Sequence, residues 1–123
     1  MPSGQTVLVV EDDESLRQLY RTALTMSGYH VREARSGFEA LRMLDSSPVD
    51  IVVLDLMLPG VDGFMVREEL AASPNTRSVP IVIVTGAAGD FDYLDVPCLL
   101  RKPITAEQLL HAVRRCLASA TPA

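Results

Sequence analysis

Apolar residues occur along this chain in short unbroken runs separated by longer stretches of mixed character. Five runs rich in β-branched side chains, at 6–10, 29–34, 51–54, 81–84 and 98–101, have the length of strands, and three of them are almost wholly apolar. A strand with one face in water alternates apolar and polar side chains, whereas an unalternating run fits a strand covered on both faces, as in a parallel sheet between two helix layers. The stretches between the runs carry helical spacing instead. Leu16, Leu19, Tyr20, Ala23 and Leu24 recur at i, i+3, i+4, i+7 and i+8, which predicts one apolar stripe on a helix that stops at Gly28. Ser36 with Glu39, ahead of Ala40, Leu41 and Leu44, has capping-box spacing, and Thr105 with Gln108 repeats it ahead of Leu109, Leu110, Val113 and Leu117. Asp62-Gly63 opens a further helix through about Ala72, with Val66 and Leu70 inward, and the cluster Ser73-Pro74-Asn75 ends it.

Regular alternation of strand and helix predicts right-handed crossovers and an open parallel sheet with helices on both faces, an α/β fold of three layers. Of the two common doubly wound arrangements, five strands fit the order 2-1-3-4-5, which puts the ligand crevice outside the carboxyl ends of the first and third strands. The expected organisation is an extension over 1–5, one domain over 6–118, and a tail or start of a linker over 119–123.

Composition narrows the function classes. With 48% apolar and 22% charged residues, 7 Gly and 8 Pro, the chain has the balance of a packed globular domain, and its 123 residues suit a single one. A formal charge of −5 without any Lys/Arg run argues against a nucleic-acid or anionic-membrane surface. The longest apolar runs are far shorter than the ~18 residues of a membrane span, and the first residues lack the pattern of a signal peptide. Cys98 and Cys116 have no motif spacing, so the expectation is a cytoplasmic protein with reduced thiols.

The ends of the predicted strands hold the candidate chemistry. The first ends in Glu11-Asp12-Asp13-Glu14 and the third in Asp55, which fills the crevice with carboxylates. Gathered like charges raise one another's pKa unless a cation compensates them, and a hard divalent ion such as Mg²⁺, which takes one or two carboxylates and keeps waters, suits the place. Asp13 and Glu14 read more simply as the negative start of a helix, stabilised by its dipole. The fourth strand ends in Thr85-Gly86 and the fifth in Lys102-Pro103. Lys102 is the single lysine among 11 basic residues, and its compact ammonium suits a phosphate or a carboxylate as a point charge.

Taken together, Glu11-Asp12, Asp55, Thr85 and Lys102-Pro103 at successive strand ends, with Leu58-Pro59-Gly60-Val61-Asp62-Gly63 after Asp55, resemble the receiver domain of two-component response regulators. The resemblance runs from Val7 to about Leu117 and implies a flavodoxin-like fold. It implies that Asp55 is the phosphoacceptor, that Asp12 directly and Glu11 through water hold Mg²⁺ with Asp55 and the backbone carbonyl of Met57, and that Lys102 and the Thr85 hydroxyl neutralise the phosphoryl oxygens. The implied partners are a histidine kinase or histidine phosphotransfer protein upstream and a protein or attached output domain downstream. A receiver of this kind is a switch that assists its own phosphotransfer and dephosphorylation, and is not an enzyme in the ordinary sense. The family pattern also implies a cis peptide at Lys102-Pro103, which an X-Pro bond reaches at modest cost.

Two features depart from that pattern. Leu99 stands where the family has an aromatic ring in its fifth strand. Between Thr85 and Lys102 lie 16 residues, 12 once the strand is set aside, and two connections of ~2 to 6 residues leave a shortened or degraded fourth helix confined to about 90–96. These departures favour an alternative, a pseudo-receiver that keeps the fold as an interaction module without phosphate signalling. A flavodoxin-like cofactor binder fits worse, because Glu11 to Glu14 would repel a flavin phosphate. His30 and His111 have no second ligand at metal spacing, and Phe91 and Tyr93 read as filling for the shortened segment.

Overall fold

The computed structural model describes residues 4–57, 63–86 and 98–120. The strands are β1 (Thr6–Val10), β2 (His30–Ala34), β3 (Ile51–Asp55), β4 (Ile81–Thr85) and β5 (Cys98–Arg101); the helices are α1 (Glu14–Met26), α2 (Gly37–Ser46), α3 (Gly63–Ala72) and α4 (Ala106–Ala120). All four strand pairings are parallel, in the order β2-β1-β3-β4-β5, so the doubly wound sheet expected from the sequence is the one observed. The short helix expected at about 90–96 and the segment Leu58 to Asp62 lie outside the described residues.

Strand parity explains why the runs do not alternate. Val7, Val9, Ile51, Val53, Val82 and Val84 pack with Tyr20 and Leu24 of α1 and with Leu109, Val113 and Leu117 of α4. The intervening Leu8, Val10, Val52 and Leu54 pack on the opposite face with Ala40 of α2 and Val66 and Leu70 of α3. Both faces are therefore dry, and hydropathy carries no period of two.

Local signals set the helix ends. Asp13 caps α1 by accepting from the Leu16 amide at 2.9 Å, and Gly28 takes φ +96° just beyond its end, a conformation that costs a glycine little. Ser36 Oγ accepts from Glu39 N at 3.1 Å. The Thr105–Gln108 box closes both ways: Gln108 N donates to Thr105 Oγ1 at 3.1 Å, and Thr105 N donates to Gln108 Oε1 at 2.8 Å.

Two sequence expectations are corrected. The stripe on α1 is rotated, so that Leu19 is 44% exposed while Arg17 is buried with Tyr20 and Leu24. Arg17 can turn inward because its guanidinium is satisfied there: Nη1 donates to the Glu11 carbonyl at 3.0 Å, and Nε pairs with Glu33 at 3.2 Å. The expectation of reduced thiols also fails. Cys98 of β5 and Cys116 of α4 form a disulfide with their Cα atoms 6.7 Å apart, because the helix lies across the strand and places both side chains in the same core cluster.

Candidate functional site: a carboxylate cluster held by one lysine

The parity that sorts the core also gathers the charges. Glu11 continues the Val7–Val9 side of β1, Asp55 continues the Ile51–Val53 side of β3, and Lys102 continues the Cys98–Leu100 side of β5. The three therefore meet on one side of the sheet, at its carboxyl end. Lys102 Nζ donates to Glu11 Oε1 at 2.8 Å and to Asp55 Oδ2 at 3.1 Å. The remaining oxygens meet backbone donors: Glu11 Oε2 accepts from Asp13 N at 3.2 Å, and Asp55 Oδ1 accepts from Met57 N at 2.9 Å.

Asp12 completes the group. One carboxylate oxygen from each of Glu11, Asp12 and Asp55 can be chosen so that all lie within 4.8 Å of one another, with Asp12 exposed and the other two buried. Three hard oxygen donors at that separation, one open to water, suit a hydrated divalent ion of the Mg²⁺ kind. Thr85 is fully buried at the end of β4, and its carbonyl accepts from the Lys102 amide at 2.8 Å, which ties the lysine's backbone to the same rim. Lys102-Pro103 is cis. The side chains of Asp13 and Glu14 serve as the cap and first turn of α1, as the simpler reading has it, while the Asp13 amide meets Glu11.

The cluster sets three carboxylates, two of them buried, against one ammonium. Burial pushes the Glu11 carboxyl up to about 7, the Asp55 charge adds to the rise, and the Lys102 ammonium only partly opposes it. Burial disfavours the ammonium of Lys102, but hydrogen bonds to Glu11 and Asp55 outweigh that cost and leave its pKa raised. The two directions agree physically: a buried carboxylate that shares one ammonium with a second carboxylate holds its proton tightly, and so does the ammonium between them.

Three residues outside the sequence-predicted set shape the site. Arg17 holds the Glu11 carbonyl from below. The Tyr20 hydroxyl is buried without a hydrogen-bond partner among the described residues; burial raises its pKa, while the nearby Lys102 charge pulls it down. Gly63 has a steric role that its reading as a helix start did not reveal. A Cβ there would run into the Asp55 carbonyl oxygen and the Leu56 Cα, so only glycine lets α3 begin against the end of β3. Leu99 is half-buried and packs with Leu56 and Ile83 on the sheet face away from α1.

Comparison with known proteins agrees with this geometry. The response regulator MprA of Mycolicibacterium vanbaalenii is 35% identical over 94% of the chain, and the response regulator PleD of Caulobacter vibrioides is 37% identical over 88%. The chain spans about half of MprA (52%) and a quarter of PleD (25%). Among solved structures, Vibrio cholerae chemotaxis protein CheY4 superposes with a TM-score of 0.85 at 26% identity, covering 93% of this chain and 99% of that one. A sensor protein from Polaromonas sp. JS666 gives 0.87 at 27% identity, with 95% and 98% covered. The family described as response regulator receiver domain matches residues 7–114, from the first buried residue of β1 into the last turns of α4, and the chain belongs to that family.

Proposed function

We propose that this receiver domain accepts a phosphoryl group on Asp55 from a phosphohistidine donor in a Mg²⁺-dependent reaction, and that the resulting acyl phosphate switches its contacts with a downstream protein or output domain. The observation that carries this reading is the Lys102 ammonium shared between Asp55 and Glu11, with Asp12 within reach of both carboxylates.

In the transfer, a carboxylate oxygen of Asp55 forms the new P–O bond as the P–N bond to the donor imidazole breaks. The imidazole nitrogen keeps that electron pair and takes up a solvent proton. A carboxylate nucleophile needs no separate base, and the Lys102 ammonium stands beside this one. Strand β3 fixes the nucleophile, and the Met57 amide fixes the plane of its carboxylate, which supplies the positioning on which in-line displacement depends. Glu11, Asp12, Asp55 and the Met57 carbonyl are the groups that would hold Mg²⁺, and the bound ion would supply positive charge against the phosphoryl oxygens. Lys102 and the Thr85 hydroxyl are assigned to the same oxygens. Water attacking the acyl phosphorus, with Asp55 as leaving group, reverses the modification with the same groups in place.

Intact-mass measurement with a small phosphoramidate tests this directly. One phosphoryl adduct is expected with Mg²⁺, none with chelator and none in Asp55→Asn; an adduct that persists in that variant would overturn the assignment. Leu99, a packed aliphatic side chain in the family's aromatic position, favours the second reading, a pseudo-receiver. Absence of any adduct in the folded wild-type protein would select it.

A further inference from the structure

We infer that Cys98 and Cys116 form a reversible dithiol–disulfide site, open to small or protein dithiols, that locks β5 to α4 and so governs how firmly the strand carrying Lys102 is held. The inference stands on the disulfide's place in the fold and does not depend on the phosphoacceptor reading.

β5 has four residues and, among the described strands, pairs with β4 alone. Cys98, Leu100 and Lys102 share one side of it by parity. Cys98 and Leu100 meet α4 on that side, and Cys116 is 2% exposed within the same cluster. A covalent link between strand and helix, closing a sequence separation of 18, adds to packing that must otherwise hold a short edge element by itself. The amide of Lys102 donates to Thr85 O at 2.8 Å, so the last backbone bond of this strand lies beside the charged cluster.

Two observations indicate that the pair can exchange. A cavity of about 160 Å³ opens beside it, lined by Cys98, Leu99, Leu100, Gln108, His111 and Arg115 among others, with Gln108, His111 and Arg115 exposed. Cys98 therefore borders a solvent-facing hollow through which a reagent thiolate can reach its sulfur, while Cys116 lies deeper. The Ala112 carbonyl lies 3.8 Å from Cys98 Sγ, so a freed thiol at 98 has an acceptor waiting and the reduced state is also accommodated.

The exchange balances as follows. A thiolate of the dithiol attacks Cys98 Sγ, and the Cys116 sulfur leaves with the bonding electron pair and takes a proton. The second thiolate of the reagent then attacks its own sulfur in the mixed disulfide, and Cys98 leaves as a thiolate that is protonated in turn. The reagent is oxidised by two electrons to its disulfide, and the protein pair is reduced by two.

The test uses the whole chain with dithiothreitol as the probe. Native protein is treated with graded dithiothreitol, trapped with N-ethylmaleimide, and weighed intact; oxidised and reduced samples are then compared by amide hydrogen exchange. Expected are no adducts before reduction, two after it without denaturant, and exchange at Leu99 to Lys102 and at Ala112 to Leu117 faster by roughly tenfold or more, with β1 and β3 unchanged. The double variant Cys98→Ser with Cys116→Ser should show the fast pattern whatever the reagent; if it does not fold, reduction of the wild type decides alone. Two adducts in protein already treated with oxidised glutathione, reduction only after denaturation, or equal exchange in both forms would each overturn the proposal.

Discussion

β3 lies between β1 and β4 and is buried at all five positions, whereas β5 is an edge strand of four residues whose Leu99 and Leu100 are only half-buried and whose Arg101 is exposed. Both end in a charge at the same site, Asp55 from one and Lys102 just beyond the other. The proposed nucleophile thus stands on a fully buried central strand, and its counter-ion just past a part-exposed edge strand tied to α4 through Cys98. Under the proposed function, a carboxylate that must meet phosphorus in line would gain from rigidity, while a cation that holds carboxylates at rest and phosphoryl oxygens afterwards would gain from an adjustable base.

The comparison can be broken most forcefully by truncating equivalent leucines. Leu54, with no exposed surface in β3, should cost about 3 kcal/mol on Leu54→Ala, against about 1 kcal/mol for Leu99→Ala in β5, read by urea denaturation. Similar losses would show that the edge strand is held as firmly as the centre.

An effect nearly as large is expected from charge. Glu11 has a folded-state pKa of about 7 against an ordinary 4.5, so its proton is bound more tightly when folded. Its contribution to stability is fullest below the unfolded value and is lost as pH rises through about 7, where the penalty reaches at most about 3 kcal/mol. In chelator, Glu11→Gln should therefore gain on the wild type steadily between those pH values and level off above them. A gap that stays constant with pH would contradict a Glu11 carboxylate disfavoured by burial.

Gly63→Ala probes the steric side of the rigid region. Its methyl group would meet backbone at Asp55 and Leu56, neither of which can rotate away, so a loss of about 2 kcal/mol is expected together with slower phosphoramidate labelling. Wild-type stability and labelling in this variant would show that α3 can shift without moving Asp55. The smallest effect belongs to Lys102→Ala. Removing the ammonium frees the carboxylates from a competing cation, so Mg²⁺ affinity should stay equal or rise by up to about threefold while labelling weakens. A tenfold fall in Mg²⁺ affinity in the folded variant would separate Lys102 from the metal site.

The sheet was legible because dry strands and capped helices leave local marks: unalternating runs, Ser36 with Glu39, Thr105 with Gln108, and glycine at position 28. The charged rim was legible from the same strand boundaries, since Glu11, Asp12, Asp55 and Lys102 all stand where a run ends. What stayed hidden was tertiary. Hydropathy places Leu19 on the buried stripe and has no way to record that Glu33 and the Glu11 carbonyl make Arg17 the better occupant of the interior. Residues Cys98 and Cys116 have no motif spacing, and only the crossing of α4 over β5 brings them together. The demand for glycine at 63 comes from the backbone at Asp55 and Leu56, which an Asp-Gly pair in the sequence does not reveal.

The most direct test of the central claim is to locate the modified residue chemically. Protein labelled with phosphoramidate and Mg²⁺ is reduced with borohydride, which converts an aspartyl phosphate to homoserine, and its peptides are sequenced by mass spectrometry. Homoserine at position 55 alone is the predicted result; homoserine at Asp12, 2-amino-5-hydroxypentanoic acid (the product from a glutamyl phosphate) at Glu11, or a phosphoryl group that survives borohydride on another side chain would contradict the account.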